Sequence, residues 1–102
     1  MKKTLIGQVA PEQVAEWKKE HKLVKEVICD GHICYLHGCG RKVLSAATVG
    51  GGKDPIKFNE ILIENLWLGG SEIFKTDDDY FLSVGPILAE LIASKAVETK
   101  NL

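Results

Sequence analysis

The stretch that most constrains the fold runs from Asp54 to Gly70, because it carries helix signals at both ends. Asp54 is a favourable N-cap residue, and Pro55 suits the first helical position, where its missing N–H group is not needed. Gly69 and Gly70 follow the apolar run, and glycine readily adopts the left-handed conformation that ends many helices. The sequence therefore predicts a helix over residues 55–68.

Two apolar stripes run along this predicted helix when its residues are placed about 100° apart. The broader stripe contains Phe58, Ile61, Leu62, Leu66 and Leu68, and the narrower stripe contains Ile56, Ile63 and Trp67. A helix with two apolar sides is either surrounded by its own domain or presents one side to a partner. Both interpretations stay open at this point. In the second one, Ile56, Ile63 and Trp67 are the candidate partner-binding residues.

A β-hairpin is predicted over about residues 23–37. Asp30-Gly31 lies between two runs of β-branched and aromatic residues, and this dipeptide favours a type I′ turn with two positive φ angles. Such a turn fixes the register of the two strands. The predicted pairs are Cys29 with His32, Val27 with Cys34, and Lys25 with Leu36, all six on one face.

Helices are predicted on both sides of the hairpin, which makes the fold class α+β. The predicted elements are an N-terminal helix from Pro11, a short helix over residues 41–49, the central helix over 55–68, and a final helix over about 78–96 capped by Thr76 or Asp77. Gly85-Pro86 is expected to kink or divide the final helix. Residues 50–53 are predicted to be a flexible linker, and residues 1–10 and 97–102 to be partly disordered.

The length of 102 residues fits one small domain, residues 1–102. A net charge of −1 gives no general attraction to nucleic acid. The sequence shows neither an apolar run long enough for a membrane span nor a signal peptide. We therefore expect a cytoplasmic protein with reduced cysteines and with neither nucleic-acid nor membrane partners.

Five potential metal ligands fall close together in the hairpin region: Cys29, His32, Cys34, His37 and Cys39. Zinc requires about four such ligands in tetrahedral positions, but ideal pairing turns His37 to the opposite face. A second pair of ligands, as in zinc fingers, is not found further along the sequence. We expect ordinary hairpin packing without a cofactor, with a small zinc-binding module as the alternative. Cysteine–histidine catalysis would also need an orienting acid and an oxyanion site, so we expect no enzyme activity.

The order of elements resembles that of small tail assembly chaperones of phages and prophages, over about residues 23–97. The similarity rests on a sheet-forming segment that ends before Arg41-Lys42-Val43-Leu44-Ser45-Ala46-Ala47, on Asp54-Pro55-Ile56, on residues 61–70, and on the acidic start Asp77-Asp78-Asp79 of a terminal helix. The resemblance implies a protein without an active site that binds a tape-measure protein in the cytoplasm before the tail tube polymerises. It also implies self-association as a second kind of contact.

Overall fold

The computed structural model describes residues 5–92 and 97–102, and its elements follow the predicted α+β order. They are α1 (Pro11–Glu20), β1 (Val24–Cys29), β2 (His32–His37), α2 (Arg41–Gly51), α3 (Pro55–Leu66), β3 (Trp67–Gly70), α4 (Ile73–Thr76) and α5 (Asp78–Ile92). The last four residues of the predicted final helix, 93–96, lie outside the described residues. Within the described part α5 continues through Gly85-Pro86, so the helix is not divided there.

The hairpin has the predicted turn and register. Asp30 and Gly31 have φ angles of 48° and 79°, as a type I′ turn requires. The strands pair antiparallel, and the pairs include Cys29 with His32 and Val27 with Cys34. Turn chemistry alone therefore fixes which residues of the hairpin share a face.

The prediction of one helix over residues 55–68 is wrong at its C-terminal end, where α3 stops at Leu66. Trp67 has an extended backbone, and Trp67–Gly70 pairs antiparallel with the second edge of β2, giving the sheet order β1-β2-β3. A helix continued through these residues would leave that part of the β2 edge without backbone partners, which is costly for a buried strand. Strand pairing therefore overrides the local helix signal.

Two glycines let three backbone segments meet at Ile33. The Ile33 N–H group donates to the Ile6 carbonyl at 2.9 Å, and the Ser71 N–H group donates to the Ile33 carbonyl at 2.9 Å. Gly7 and Gly70 have φ angles of 95° and 124°. A Cβ atom on either glycine would lie within about 2.6 Å of the Ile33 oxygen. Residues 5–10, which were predicted to be partly disordered, are thus held against the sheet.

The two faces of the sheet are covered by different elements. Helices α3 and α5 cover the face that carries Cys34 and Leu36. The buried core consists of Cys34, Leu36, Ala47, Leu62, Ile63, Leu66, Phe74, Val84, Leu88 and Leu91. On the opposite face the Trp17 ring of α1 lies 5.3 Å from the Tyr35 ring, and the Val9 N–H group donates to the Tyr35 hydroxyl.

The first half of the predicted flexible linker, residues 50–53, belongs instead to α2 and is packed at Gly51. Helix α2 includes Gly50 and Gly51, and Gly52 ends it. Gly51 is buried, and a Cβ atom there would lie 2.8 Å from the Phe58 Cα atom of α3. Glycine at this position allows the two helices to approach closely, which is a packing role.

Candidate protein-binding groove

The three candidate partner-binding residues do not share one exposed face. Ile63 is only 2% exposed and belongs to the core. Trp67 lies on β3, half-buried, with the Lys75 Nζ atom 4.3 Å from the centre of its ring. Ile56 is 43% exposed. The predicted narrow stripe is therefore broken at Leu66, where the helix ends, and by the burial of Ile63.

Ile56 instead belongs to a groove between the N-terminal halves of α3 and α5. The groove has a volume of about 340 Å³ and is lined by Ile56, Glu60, Lys75, Asp78, Phe81 and Leu82. We call it the α3/α5 groove. Leu82 is 55% exposed, so both walls carry a large apolar side chain that remains accessible to solvent. Exposed apolar side chains that meet in one concave site are typical of binding surfaces.

Aspartate caps fix the backbone on both walls of the groove. Asp54 Oδ1 accepts hydrogen bonds from the N–H groups of Ile56 and Lys57, at 3.0 and 3.3 Å. Asp77 Oδ1 accepts from Asp79 and Tyr80 in the same way, at 3.0 and 3.3 Å. Each cap satisfies N–H groups that the first turn of a helix leaves unpaired. The apolar residues of the groove thus follow closely after a fixed helix start.

The rim of the groove has an excess of carboxylates. Glu60 and Asp78 lie on the lining itself. Lys75, the lysine on the lining, has its Nζ atom 3.6 Å from carboxylate oxygens of both Glu64 and Glu72. The positive charge of Lys75 is therefore largely offset, and the groove presents an acidic rim around apolar walls. A partner with basic residues beside its apolar contacts would suit this rim.

The cysteines and histidines of the hairpin are dispersed. His32 Nδ1 is hydrogen-bonded to Ser71 Oγ at 2.8 Å, and the His37 ring stacks on His21 with 4.2 Å between centroids. Cys34 is fully buried beneath the helices. Burial raises the pKa of the Cys34 thiol to about 12, against a smaller lowering by the Lys75 charge.

This arrangement bears on the zinc alternative. Within residues 5–92 and 97–102, no three Cys, His, Asp or Glu side chains are grouped so that they could hold a metal ion. A thiol ligand must also be deprotonated, which the environment of Cys34 opposes. The five residues that the sequence brings close together thus do not form a coordination site in the structure.

Leu82 is the residue of the groove that the sequence interpretation missed. The apolar residues of α5 form a core-facing arc, on which Val84, Leu88 and Leu91 are buried. Leu82 falls outside that arc, and an apolar residue off the core face of an amphipathic helix was the available signal. The signal acquires a meaning only because Leu82 lines the same groove as Ile56, which lies on a helix distant in sequence.

Comparison with known protein families, with characterised proteins and with solved structures finds no match for this chain. In the part of the chain that the structure describes, no helix combines the length and apolar character that crossing a bilayer requires. The α3/α5 groove is therefore interpreted from its own geometry and chemistry.

Proposed function

We propose that this protein is a non-catalytic protein-interaction module of the tail assembly chaperone kind, which binds a helical client such as a tape-measure protein. One observation carries the proposal: Ile56 of α3 and Leu82 of α5, both exposed, line the same α3/α5 groove. Burying these side chains against a client would stabilise a complex through the hydrophobic effect. Such shielding of apolar client surface is what an assembly chaperone must provide.

A helical client is favoured by the shape and the charge of the site. A groove between two helices accepts the apolar face of an amphipathic helix, whose contacts recur every three or four residues. The rim residues Glu60 and Asp78 favour lysine or arginine beside those contacts. The lining is made of apolar, carboxylate and ammonium side chains, a composition that suits binding. These features support a complex with a basic, amphipathic helical client.

The proposal is tested by replacing one wall of the groove at a time. The probe is the tape-measure protein encoded nearest to this gene, co-expressed with the chain. Leu82→Glu and Ile56→Glu should each reduce the amount of client that stays in solution and co-purifies by at least about tenfold, as for the loss of a central interface residue. The matched control is Val49→Glu, because Val49 is 81% exposed on α2 and outside the groove lining.

The control should retain the client as well as the wild type does. Equal retention by Leu82→Glu would show that the α3/α5 groove is not the client site. A genome without a tape-measure gene near this one would overturn the chaperone proposal itself.

A further inference from the structure

The outer edge of β1 carries backbone groups that point away from the sheet. In an antiparallel pair, successive residues direct their N–H and C=O groups alternately towards the partner strand and away from it. Ile33, the partner of Ile28, bonds to Ile6 and Ser71 on the far side of β2. By the same alternation, Val24, Glu26 and Ile28 direct their backbone groups to the outer edge. We call this the β1 edge.

The β1 edge is open in the part of the chain that the structure describes. Beyond the β1–β2 ladder, residues 5–92 and 97–102 provide no hydrogen bond to the backbone of Glu26 or Ile28. Ile28 is 54% exposed. The other edge of β2, by contrast, is paired with β3 and with Ile6. An open edge with an exposed apolar side chain is a template for another strand.

The side chains of β1 allow only one register for pairing with a copy of itself. Two residues that lie opposite each other must both direct their backbone groups towards the partner strand or both direct them away from it. A two-fold axis between two antiparallel copies of β1 therefore sets one residue opposite its own copy. An axis at Lys25 or at Glu26 would place like charges directly opposite each other, and an axis at Ile28 would place Glu26 opposite Asp30, which is destabilising in each case. An axis at either end of β1 would pair only the terminal residue of the strand with its own copy. An axis at Val27 places Val27 opposite itself, and Glu26 opposite Ile28 of the second copy.

We propose that two copies of this chain associate through their β1 edges, antiparallel about an axis at Val27, to form one continuous six-stranded sheet. In this register Glu26 and Ile28 exchange both backbone bonds with Ile28 and Glu26 of the second copy. The two exposed Ile28 side chains become diagonal neighbours on the outer face, within mutual reach. Lys25 lies opposite Cys29 of the second copy and keeps its own 2.8 Å ion pair with Glu90.

The adjoining surface leaves room for the second strand. A groove of about 370 Å³ runs along the β1 edge between the strand and α5, with Val27 and Cys29 on one side and Ser83 and Ile87 on the other. Side chains of an added strand that point towards α5 would enter this groove. It lies apart from the α3/α5 groove and shares none of its lining residues. The proposal is therefore independent of the proposed client binding.

The test replaces a backbone donor without touching the β1–β2 ladder. Ile28→Pro removes an N–H group that points only to the outer edge, a position at which strands accept proline. Its dimer dissociation constant, measured by sedimentation equilibrium, should rise at least about tenfold through the loss of two symmetry-related bonds. Ile28→Val keeps the N–H group and should dimerise as the wild type does. Leu82→Glu should leave the dimer unchanged.

A second measurement reports the register even if Ile28→Pro folds poorly. With Cys29 and Cys39 replaced by Ser, and with Cys34, the cross-strand partner of Val27, replaced by Ala, Val27→Cys should form an intermolecular disulfide on oxidation, because the pair on the axis is about 4.5 Å apart between Cα atoms. Glu26→Cys in the same background should form far less. A wild type that is monomeric at all concentrations, a dimer lost in Leu82→Glu but kept in Ile28→Pro, or a stronger cross-link at Glu26→Cys would each overturn the proposal.

Discussion

The two faces of the sheet are built from one hairpin, yet they are covered very differently. On the core face, Cys34 and Leu36 are fully buried against helices whose own apolar residues are also buried. On the outer face, Ile33 and Tyr35 are also buried, but all ten residues of α1 keep part of their surface exposed, and the helix start has no side-chain cap. The Trp17 ring against Tyr35 is its main aromatic contact with the sheet.

The comparison indicates that packing on the core face provides most of the global stability, whereas local opening occurs on the outer face, at α1. Buried apolar area is the main source of stability, so the core face should determine global unfolding. A short helix with little buried surface opens at a lower free energy than the rest of a domain. We therefore expect α1 to separate from the outer face without unfolding of the core. Three measurements test this division, beginning with the largest effect.

Phe74→Ala should give the largest loss of stability. Phe74 is fully buried in the core, and its ring meets Tyr80 edge-on at 5.6 Å. Removing a buried aromatic ring costs about 3–5 kcal/mol of unfolding free energy through lost transfer energy and the remaining cavity. Urea unfolding measures this loss, and Ile56→Ala provides an exposed control that should stay within about 0.5 kcal/mol of the wild type. A loss below about 1 kcal/mol for Phe74→Ala would contradict the role given to the core face.

High pH should lower the free energy of unfolding, because the buried Cys34 thiol on the core face ionises more readily in the unfolded chain. Burial raises the pKa of this thiol to about 12, whereas the thiol of the unfolded chain ionises near pH 9. The contribution of the protonated Cys34 thiol to the free energy of unfolding is therefore fully present below pH 9. It is lost as the pH rises from 9 towards 12, by up to about 1.4 kcal/mol per pH unit. Urea unfolding between pH 8 and about pH 11 should show this slope in the wild type.

The control for that measurement is Cys34→Ala. This variant should be less stable at every pH, because it leaves a cavity, but its stability should decrease less steeply above pH 9. Equal slopes in the two proteins would mean that the Cys34 thiol ionises without unfolding, and hence that the core face admits water at this position.

Trp17→Ala should have the smallest effect of the three. Trp17 is half-buried, so its removal should cost about 1–2 kcal/mol. Hydrogen exchange should become faster throughout α1 while the protection of β2 is retained. The neighbouring exposed residue Lys18 gives a control, Lys18→Ala, which should change neither quantity appreciably. A loss as large as that of Phe74→Ala would show that the two faces unfold as one unit.

The sequence predicted those parts of the fold that local chemistry decides. The hairpin register follows from Asp30-Gly31, and the start of α3 follows from Asp54-Pro55, because each signal acts within a few residues. The end of α3 was predicted wrongly because Trp67–Gly70 pairs with β2, a strand distant in sequence. Neither the helix propensity of these residues nor the Gly69-Gly70 pair indicates that they pair with β2.

The same limit applies to the candidate site. A helical wheel treats residues 55–68 as one cylinder, so it placed Trp67 beside Ile63 on a surface that the strand β3 replaces. Of the three candidate residues, Ile56 is the one that lies exposed on α3. Its counterpart Leu82 could be recognised only from the tertiary packing of α3 against α5, which the sequence does not specify residue by residue.

The junction of three backbone segments at Ile33 has a consequence for how this chain tolerates substitution. At Gly7 and Gly70 every other side chain would both strain a positive φ angle and collide with main-chain atoms, which cannot move aside as a side chain can. A library in which each position is replaced in turn, selected for folded protein, should therefore tolerate few replacements at these two positions, which are distant from each other in sequence. They would contrast with Gly40, which has a φ angle of −90° and open space around it and should accept many residues more readily. Two glycines would thus be among the positions least free to vary because of backbone packing alone.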